Sequence, residues 1–296
     1  MLYNKYIRLW QLLSHDVPEN FDEKISHRFL LKLVLLDGGS IVSALTLRFR
    51  EFWLTGDSFM LYDVLFNVFL LAMSASVTNL FVAVSYLGAH YFRLLNYRIG
   101  MVNRMLKELD KKGYYWRCKP TKKVWMYNRL IRELHKLARL HGEVNQTVQR
   151  FMELHDVSLL VLVTKNFVAI IAALFGTFTM VVVPLRNNSV PTIGTYGYLL
   201  FKSIFHFFQF YYLVESATLF TKRGEKTGTL LGDLSKQDSN EQVDTSIDSF
   251  SLELLHRDHK INNAGLYHID FSLIYAAMAT IISYLIIAVQ FQMTND

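Results

Sequence analysis

Long apolar stretches separated by charged segments dominate the pattern of hydrophobic and polar positions along this 296-residue chain. Five stretches are long enough to span a membrane, at residues 29–47, 60–92, 158–185, 196–220 and 265–291. Because a helix rises 1.5 Å per residue, about 20 apolar residues cross the ~30 Å hydrocarbon core of a bilayer. The pattern therefore predicts an all-α, polytopic helical membrane protein with five transmembrane helices.

Ionisable side chains inside the predicted spans need partners, because an isolated charge in hydrocarbon is costly. Lys32 lies near the start of the first stretch, where its ammonium can reach the interface, whereas Asp37 lies in the middle. Asp37 is either paired inside the bundle, which we favour, or part of a site. The simplest use of the scattered groups is pairing among themselves, and these groups are Asp37, Lys165, Lys202 and Glu215.

The segment at 93–157 is strongly basic, with 15 Lys or Arg against six Asp or Glu. It contains apolar positions at alternating steps of four and three, which is typical of a packed helical seam. The seam comprises Leu130, Leu134, Leu137, His141, Val144, Val148 and Phe151. We expect this stripe to be buried against a helix of the same or a neighbouring subunit. The spacing of His135, His141 and His155 does not place three ligands on one face, so we interpret His141 as a core residue rather than a metal ligand.

The remaining segments are polar. Residues 1–28 are interpreted as a cytoplasmic N-terminal segment, and 48–59 and 186–195 as short loops. The segment 221–264 is interpreted as a polar loop with a flexible centre and a helix from Phe250 to Ile261. Asn187 begins an N-glycosylation sequence, which is informative only if its loop faces outside.

Charge sets the expected orientation. The formal charge is +6, and the excess lies beside predicted spans, which favours cytoplasmic loops of a membrane protein over nucleic-acid binding. With 93–157 inside, five spans place the N-terminus and 221–264 inside, and the C-terminus outside. The single cysteine, Cys118, excludes an intramolecular disulfide. No hydrolase, zinc-protease or nucleotide-binding motif occurs, so the sequence predicts neither an enzyme nor a cofactor.

The last apolar stretch carries the most specific pattern. Ser283-Tyr284, five hydrophobic residues and Gln290-Phe291 follow the lead-in Gly265-Leu-Tyr-His-Ile-Asp270. This resembles the Thr-Tyr-(five hydrophobics)-Gln-Phe signature of insect gustatory receptors, with serine in place of the usual threonine. The lead-in resembles the Gly-Leu-aromatic approach of that family to its final helix.

The resemblance implies a fold and a function. Insect gustatory and odorant receptors are seven-span proteins that assemble as tetrameric, ligand-gated cation channels, with intracellular helices as the intersubunit anchor. By this resemblance the chain lacks the first two of seven spans. Spans one to four occupy 29–220 with an anchor region at 93–157, and 221–264 holds a further anchor helix. Residues 265–296 form a pore helix and an extracellular C-terminus. The implied partners are a small-molecule tastant, the plasma membrane and related subunits in a homo- or hetero-tetramer.

The candidate site residues fall into two groups. The resemblance and the polar stripe of the last stretch together predict a pore lining of Thr280, Ser283, Ile287, Gln290 and Phe291. Polar or aromatic groups inside the spans are candidates for a ligand pocket, namely Asn67, Thr177, Tyr198, His206 and Gln209.

Two alternatives remain open at this point. One is a membrane transporter, and the other is a non-conducting or degenerate receptor scaffold. A transporter predicts inverted repeats and helix breaks near the midplane. The sequence shows no repeat, and Gly38-Gly39 is its only candidate break.

Overall fold

The computed structural model describes residues 23–46, 58–110, 120–186, 193–235 and 240–294. Most of them are helical, in α1 (Glu23–Leu31), α2 (Ser58–Asp110), α3 (Pro120–Leu154), α4 (Asp156–Arg186), α5 (Ile193–Ser235), α6 (Glu241–Leu255) and α7 (Phe271–Thr294). Two short strands, β1 (Asn262–Asn263) and β2 (Tyr267–His268), pair antiparallel. The predicted all-α fold class is confirmed.

The first span changes its helical winding part-way along. α1 continues into a seven-residue π-helix, Lys32–Gly38, and α-helical winding resumes over residues 39–46. Gly39 has φ −60° and ψ −37°, which are right-handed helical values. The candidate break at Gly38-Gly39 therefore lies inside a continuous helix.

Four helical segments within the described ranges are long and apolar enough to cross a membrane. They are His27–Thr46, Val68–Leu109, Asp156–Thr179 and Phe271–Phe291. They correspond to four of the five predicted spans. The fifth, 196–220, is helical within α5 but does not meet the same standard of length and apolarity. Its interior carries Lys202, His206, Gln209 and Glu215, so its role as a span stays a prediction.

Two helices continue beyond the predicted ends of their spans, one of them into the segment interpreted as a polar loop. α2 extends beyond the predicted span end at 92 to Asp110, and α5 extends beyond 220 to Ser235. α6 begins at Glu241, inside the segment expected to be flexible, and Asn240 caps it by accepting from the Gln242 backbone N–H. These helices are stabilised by buried apolar stripes, which outweigh the polar composition of their exposed faces.

The chain divides into two compact units. We call 84–154 with 216–261 the α3 unit, and 23–83 with 155–215 and 262–294 the α7 unit, after a helix in each. The predicted seam of α3 is buried, with relative exposures of 1% at Leu134 and 0% at Val148. Its neighbours belong to the same chain. A Cβ on Gly88 would lie 2.7 Å from Val148 and 2.8 Å from Phe220, which shows how closely α2, α3 and α5 approach.

In the α7 unit, the final helix packs against α4 along one face. Ile274 and Ile281 are buried, with exposures of 8% and 2%. They line a small apolar cleft with residues of α4 and α5, which are Phe167, Ile170, Phe207 and Phe210. Most of the remaining surface of α7 is exposed in the single chain.

Candidate functional site

A buried ion pair is the centre of a polar cluster in the α7 unit. The Lys32 ammonium lies 3.3 Å from the Asp37 carboxylate, and the two residues are 1% and 6% exposed. Asn79 of α2 donates from Nδ2 to Asp37 Oδ2 at 2.7 Å, and its Oδ1 accepts from Lys32. Gln209 of α5 donates to Asp37 Oδ1. Three helices therefore meet at one carboxylate, and both of its oxygens have donors.

A second polar contact lies one helical turn from Gln209. His206 Nδ1 is 3.0 Å from Asn166 Oδ1 on α4, and both side chains are buried. Among the residues that the structure describes, two polar atoms here have no partner: the Asn166 amide nitrogen and the Gln209 amide oxygen. Buried polar atoms are normally hydrogen-bonded, so this donor and this acceptor offer places for a water molecule or a ligand group.

The structure brings together two of the five ligand candidates, His206 and Gln209. Thr177 donates its hydroxyl to the Ala173 carbonyl at 2.8 Å, a bond within its own helix. Asn67 lies in α2 and Tyr198 in α5, but their side chains are outside those that the structure describes. Asn187 also lies outside the described residues, so the glycosylation site stays a prediction.

Two expectations about charged residues were wrong. Lys32 does not extend to the interface, because its ammonium is buried against Asp37 and Asn79. Within the described part of the chain, Asp37, Glu215 and Lys165 contact residues outside the group that was expected to pair among itself. Arg28 binds Glu215 at 3.0 Å, and Lys165 donates to Ser74. Each of these contacts joins residues of the same unit.

Sequence reasoning missed Lys32, Asn79 and Asn166 as members of the cluster. Neither Asn79 nor Asn166 is among the ligand candidates that the sequence predicts. The available signal was the amide chemistry itself, because Asn and Gln inside a span seek interhelical partners.

The polar stripe of α7 lies on the face opposite the packed one. At about 100° per residue, the centre of Thr280, Ser283, Ile287 and Gln290 lies roughly 150° from that of Ile274 and Ile281. All four are exposed, and Ile287 is 47% exposed. The hydroxyls of Thr280 and Ser283 donate to the carbonyls of Ala276 and Ala279. Phe291 at 67% and Tyr284 at 55% exposure lie together along one side of the stripe.

The lead-in to α7 is a turn followed by a helix cap. Ala264 and Gly265 have φ of 50° and 73°, and Leu266 N–H donates to the Asn263 carbonyl at 2.9 Å. These are features of a type I′ turn. Asp270 accepts the Ser272 hydroxyl and, at 2.9 Å, the Ser272 backbone N–H. The bond from the hydroxyl is the main cause that lowers the pKa of the Asp270 carboxyl. The lead-in thus fixes where the final helix begins.

The α3 unit contains a different cluster, of rings. The His141 ring centroid lies 4.6 Å from Phe92 and 5.1 Å from His259. Burial lowers the pKa of His141 to about 3, with smaller contributions from His259 and Arg257. The Gly224 backbone acts in the opposite direction and favours the protonated form. In the described part of the chain, neither ring nitrogen of His141 has a hydrogen-bond partner. Burial also lowers the pKa of His259. The expectation of a core histidine is confirmed.

Comparisons with known proteins agree with these features. A family model described as 7tm Chemosensory receptor matches residues 2–295. A Drosophila melanogaster protein named as candidate gustatory receptor 28b is 24% identical over 216 residues, which are 67% of this chain and 45% of that protein. The chain thus spans less than half the length of this relative.

A solved structure shows the same fold. The insect olfactory receptor OR5 from Machilis hrabei matches with a TM-score of 0.58 at 11% identity, over 98% of this chain and 75% of that chain. A likeness at this identity concerns the fold alone. The family match, however, covers nearly the whole chain and confirms the resemblance seen in the final helix. The chain belongs to the insect chemosensory receptor family.

Proposed function

We propose that this chain is a gustatory receptor subunit that forms a ligand-gated cation channel and detects a small-molecule tastant. The observation that carries the proposal is the exposed polar stripe of α7, on the face opposite its contacts with α4 and α5. The proposed location is the plasma membrane, with the N-terminus in the cytoplasm and the C-terminus outside.

Polar side chains on the exposed face of a membrane helix favour contact with water or protein over contact with lipid. A central axis shared by four subunits supplies water or other protein at this face. The family resemblance motivates the four-fold arrangement, and the direction of the stripe supports it.

The order of residues along the stripe fits a gated path. Four copies of Gln290 would form a polar ring, and four copies of Ile287, about one turn away, would form an apolar constriction. Hydrophobic constrictions close a pore to ions by excluding water. A ligand that widens this ring would open the path.

The polar cluster supports the ligand-binding part of the proposal. His206 and Gln209 are one turn apart on α5, and the unpartnered atoms of Gln209 and Asn166 are buried near them. A tastant with hydroxyl, carbonyl or amine groups would satisfy these atoms. His206→Ala should shift the dose–response curve more than it lowers surface expression, whereas an equal loss of both would indicate a purely structural histidine.

Current recording tests the pore. Ile287→Ser should raise resting leak, and Gln290→Glu should change cation selectivity or divalent block at normal surface expression. Ile282→Ser is the matched control, because Ile282 is 53% exposed on the same helix but lies about 120° from the stripe. Unchanged ligand-gated current in both stripe variants would exclude the stripe from the pore.

Epitope tags test the orientation. A tag after Asp296 should be stained on intact cells, and one near Ser239 should be stained only after permeabilisation. The reverse pattern would overturn the proposed orientation. Ligand uptake without current, alone or with a co-expressed relative, would instead favour a transporter, and absence of both would favour a non-conducting scaffold.

A further inference from the structure

The buried positions of the first span have an unusual spacing. Lys32, Asp37, Ser40 and Ala44 are 1%, 6%, 3% and 7% exposed, and they follow one another at steps of five, three and four. Steps of three and four keep residues on one face of an α-helix. A step of five does not, because it turns about 140° away at about 100° per residue. In α-helical winding, Lys32 and Asp37 would therefore lie on different faces.

The π-helix removes this conflict. Its hydrogen bonds join residues five apart, so residue i+5 lies one turn above residue i. The π segment is Lys32–Gly38, and the ion pair joins Lys32 to Asp37 inside it, at 3.3 Å. The winding and the ion pair thus support each other. The π turn aligns the two charges, and the aligned charges favour the π turn.

We propose that the Lys32–Asp37 ion pair is a register clamp, which holds the π turn and thereby sets the helical register of residues 39–46. A π turn accommodates one extra residue relative to an α turn. Without it, the helix beyond Lys32 would shift by one position. Leu36, Gly39 and Ser43 would then take the inward places of Asp37, Ser40 and Ala44.

Neighbouring groups attach the clamp to the rest of the unit. Asn79 binds both members of the pair, and Gln209 binds the remaining carboxylate oxygen. Ser40 donates its hydroxyl to the Asp37 carbonyl at 2.8 Å, at the end of the π segment where backbone bonding changes. These bonds hold Asp37 inward on α2 and α5. A slip to α-helical register would break them together, so the clamp has two discrete states.

The test separates helical register from stability. Spin labels are placed at Ser43 or Ala44 in a Cys118→Ser background, and their collision rates with oxygen are measured in lipid nanodiscs. In the otherwise native chain, the label at 44 should be the less accessible. In Lys32→Met with Asp37→Leu, the order should invert. This double variant should remain folded, because replacing both members of a buried pair by apolar residues is often neutral or stabilising.

Two further variants make the result specific. Exchange of the charges, Lys32→Asp with Asp37→Lys, should restore the native order, since the pair is remade. Arg28→Met with Glu215→Leu removes a different ion pair, which joins α1 to α5 at 3.0 Å and lies outside the π segment. This variant should leave the order of accessibility at positions 43 and 44 unchanged. The proposal would be overturned if position 44 stayed less accessible than position 43 in Lys32→Met with Asp37→Leu. It would also be overturned if position 44 became the more accessible in Lys32→Asp with Asp37→Lys.

Discussion

The two units of this chain bury ionisable groups in opposite ways. In the α7 unit, Lys32 and Asp37 are buried as a pair, and the amides of Asn79 and Gln209 complete their hydrogen bonds. In the α3 unit, His141 is fully buried among rings, and neither of its ring nitrogens has a partner among the residues that the structure describes. The first arrangement keeps charges and satisfies them, whereas the second removes the charge by desolvation.

The difference follows from the chemistry of the groups. A lysine and a carboxylate buried side by side can neutralise each other, provided that further hydrogen bonds complete their shells. A histidine needs no counter-ion, because it loses its proton at little cost near neutral pH. A buried histidine can therefore act as a polar variant of an aromatic residue, and four of the ring contacts in the α3 unit involve His141 or His259 with phenylalanine or each other.

The largest loss of stability is expected when the ring cluster of the α3 unit loses a phenylalanine. Phe92 is fully buried, with centroids 5.0 Å from Phe220 and 5.9 Å from His259. Phe92→Ala should lower the free energy of unfolding by about 3–5 kcal/mol, because a large cavity opens among rings that cannot collapse. Thermal unfolding in detergent measures this. Phe66→Ala, at a position 61% exposed, is the control, and an equal loss in both variants would contradict a packed core at Phe92.

The second-largest loss of stability is expected when the Lys32–Asp37 ion pair loses one of its hydrogen-bond donors. Gln209→Leu removes the donor to Asp37 Oδ1 without changing charge, and should cost about 1.5–3 kcal/mol because the bond involves a charged group. Thr177→Val is the matched control, since that hydroxyl bonds only to the backbone of its own helix in the structure. Equal thermal midpoints for Gln209→Leu and the native chain would mean that the carboxylate does not depend on this amide.

The pH dependence tests the unpaired histidine. The unfolded chain protonates His141 below about pH 6.5, whereas the folded chain resists protonation until about pH 3. The contribution of His141 to stability is therefore complete above pH 6.5 and should fall by about 1.4 kcal/mol per pH unit as the pH drops through this window. His141→Phe should remove this contribution and flatten the pH dependence of the thermal midpoint, whereas the part that comes from His259, whose pKa burial also lowers, should remain. His135→Phe, at an exposed position of the same helix, is the control, and a slope in His141→Phe as steep as in the native chain would contradict the assignment.

The smallest effect concerns the cap of α7. Asp270→Ala should destabilise the start of this helix by about 0.5–2 kcal/mol, as for other N-cap losses. Asp270→Asn keeps an acceptor and should lose less. Hydrogen exchange at the Ser272 and Leu273 amides reports the change locally, and equal exchange in the two variants would argue against capping by this side chain.

The sequence predicts regular packing better than polar contacts. The seam from Leu130 to Phe151 can be predicted because nearly all its residues are apolar and follow one another at alternating steps of four and three. The same spacing occurs from Ala217 to Leu234 and was overlooked, because Gly224 and Thr227 occupy two of its buried positions. Those two residues interrupt the apolar pattern without interrupting the helix.

The polar cluster was less accessible to sequence reasoning. Periodicity arguments assume 3.6 residues per turn, and at that period Lys32 and Asp37 do not meet. The partners Asn79 and Gln209 are 42 and 172 residues from Asp37, so their contacts depend on tertiary packing. The direction of the α7 stripe, in contrast, follows from helical geometry alone once the packed face of this helix is known.

The turn before the final helix also offers a route to a more tractable protein. Ala264 holds a φ of 50°, a left-handed conformation that costs an L-residue with a Cβ about 1–2 kcal/mol. Type I′ turns favour the dipeptide Asn-Gly, and Gly265 already supplies its second residue. Asn at position 264 would complete the pair and relieve this strain beside the entry to α7. For biochemical preparation, this single exchange is an inexpensive stabilising change that leaves every residue of the α7 stripe and of the buried polar cluster in place.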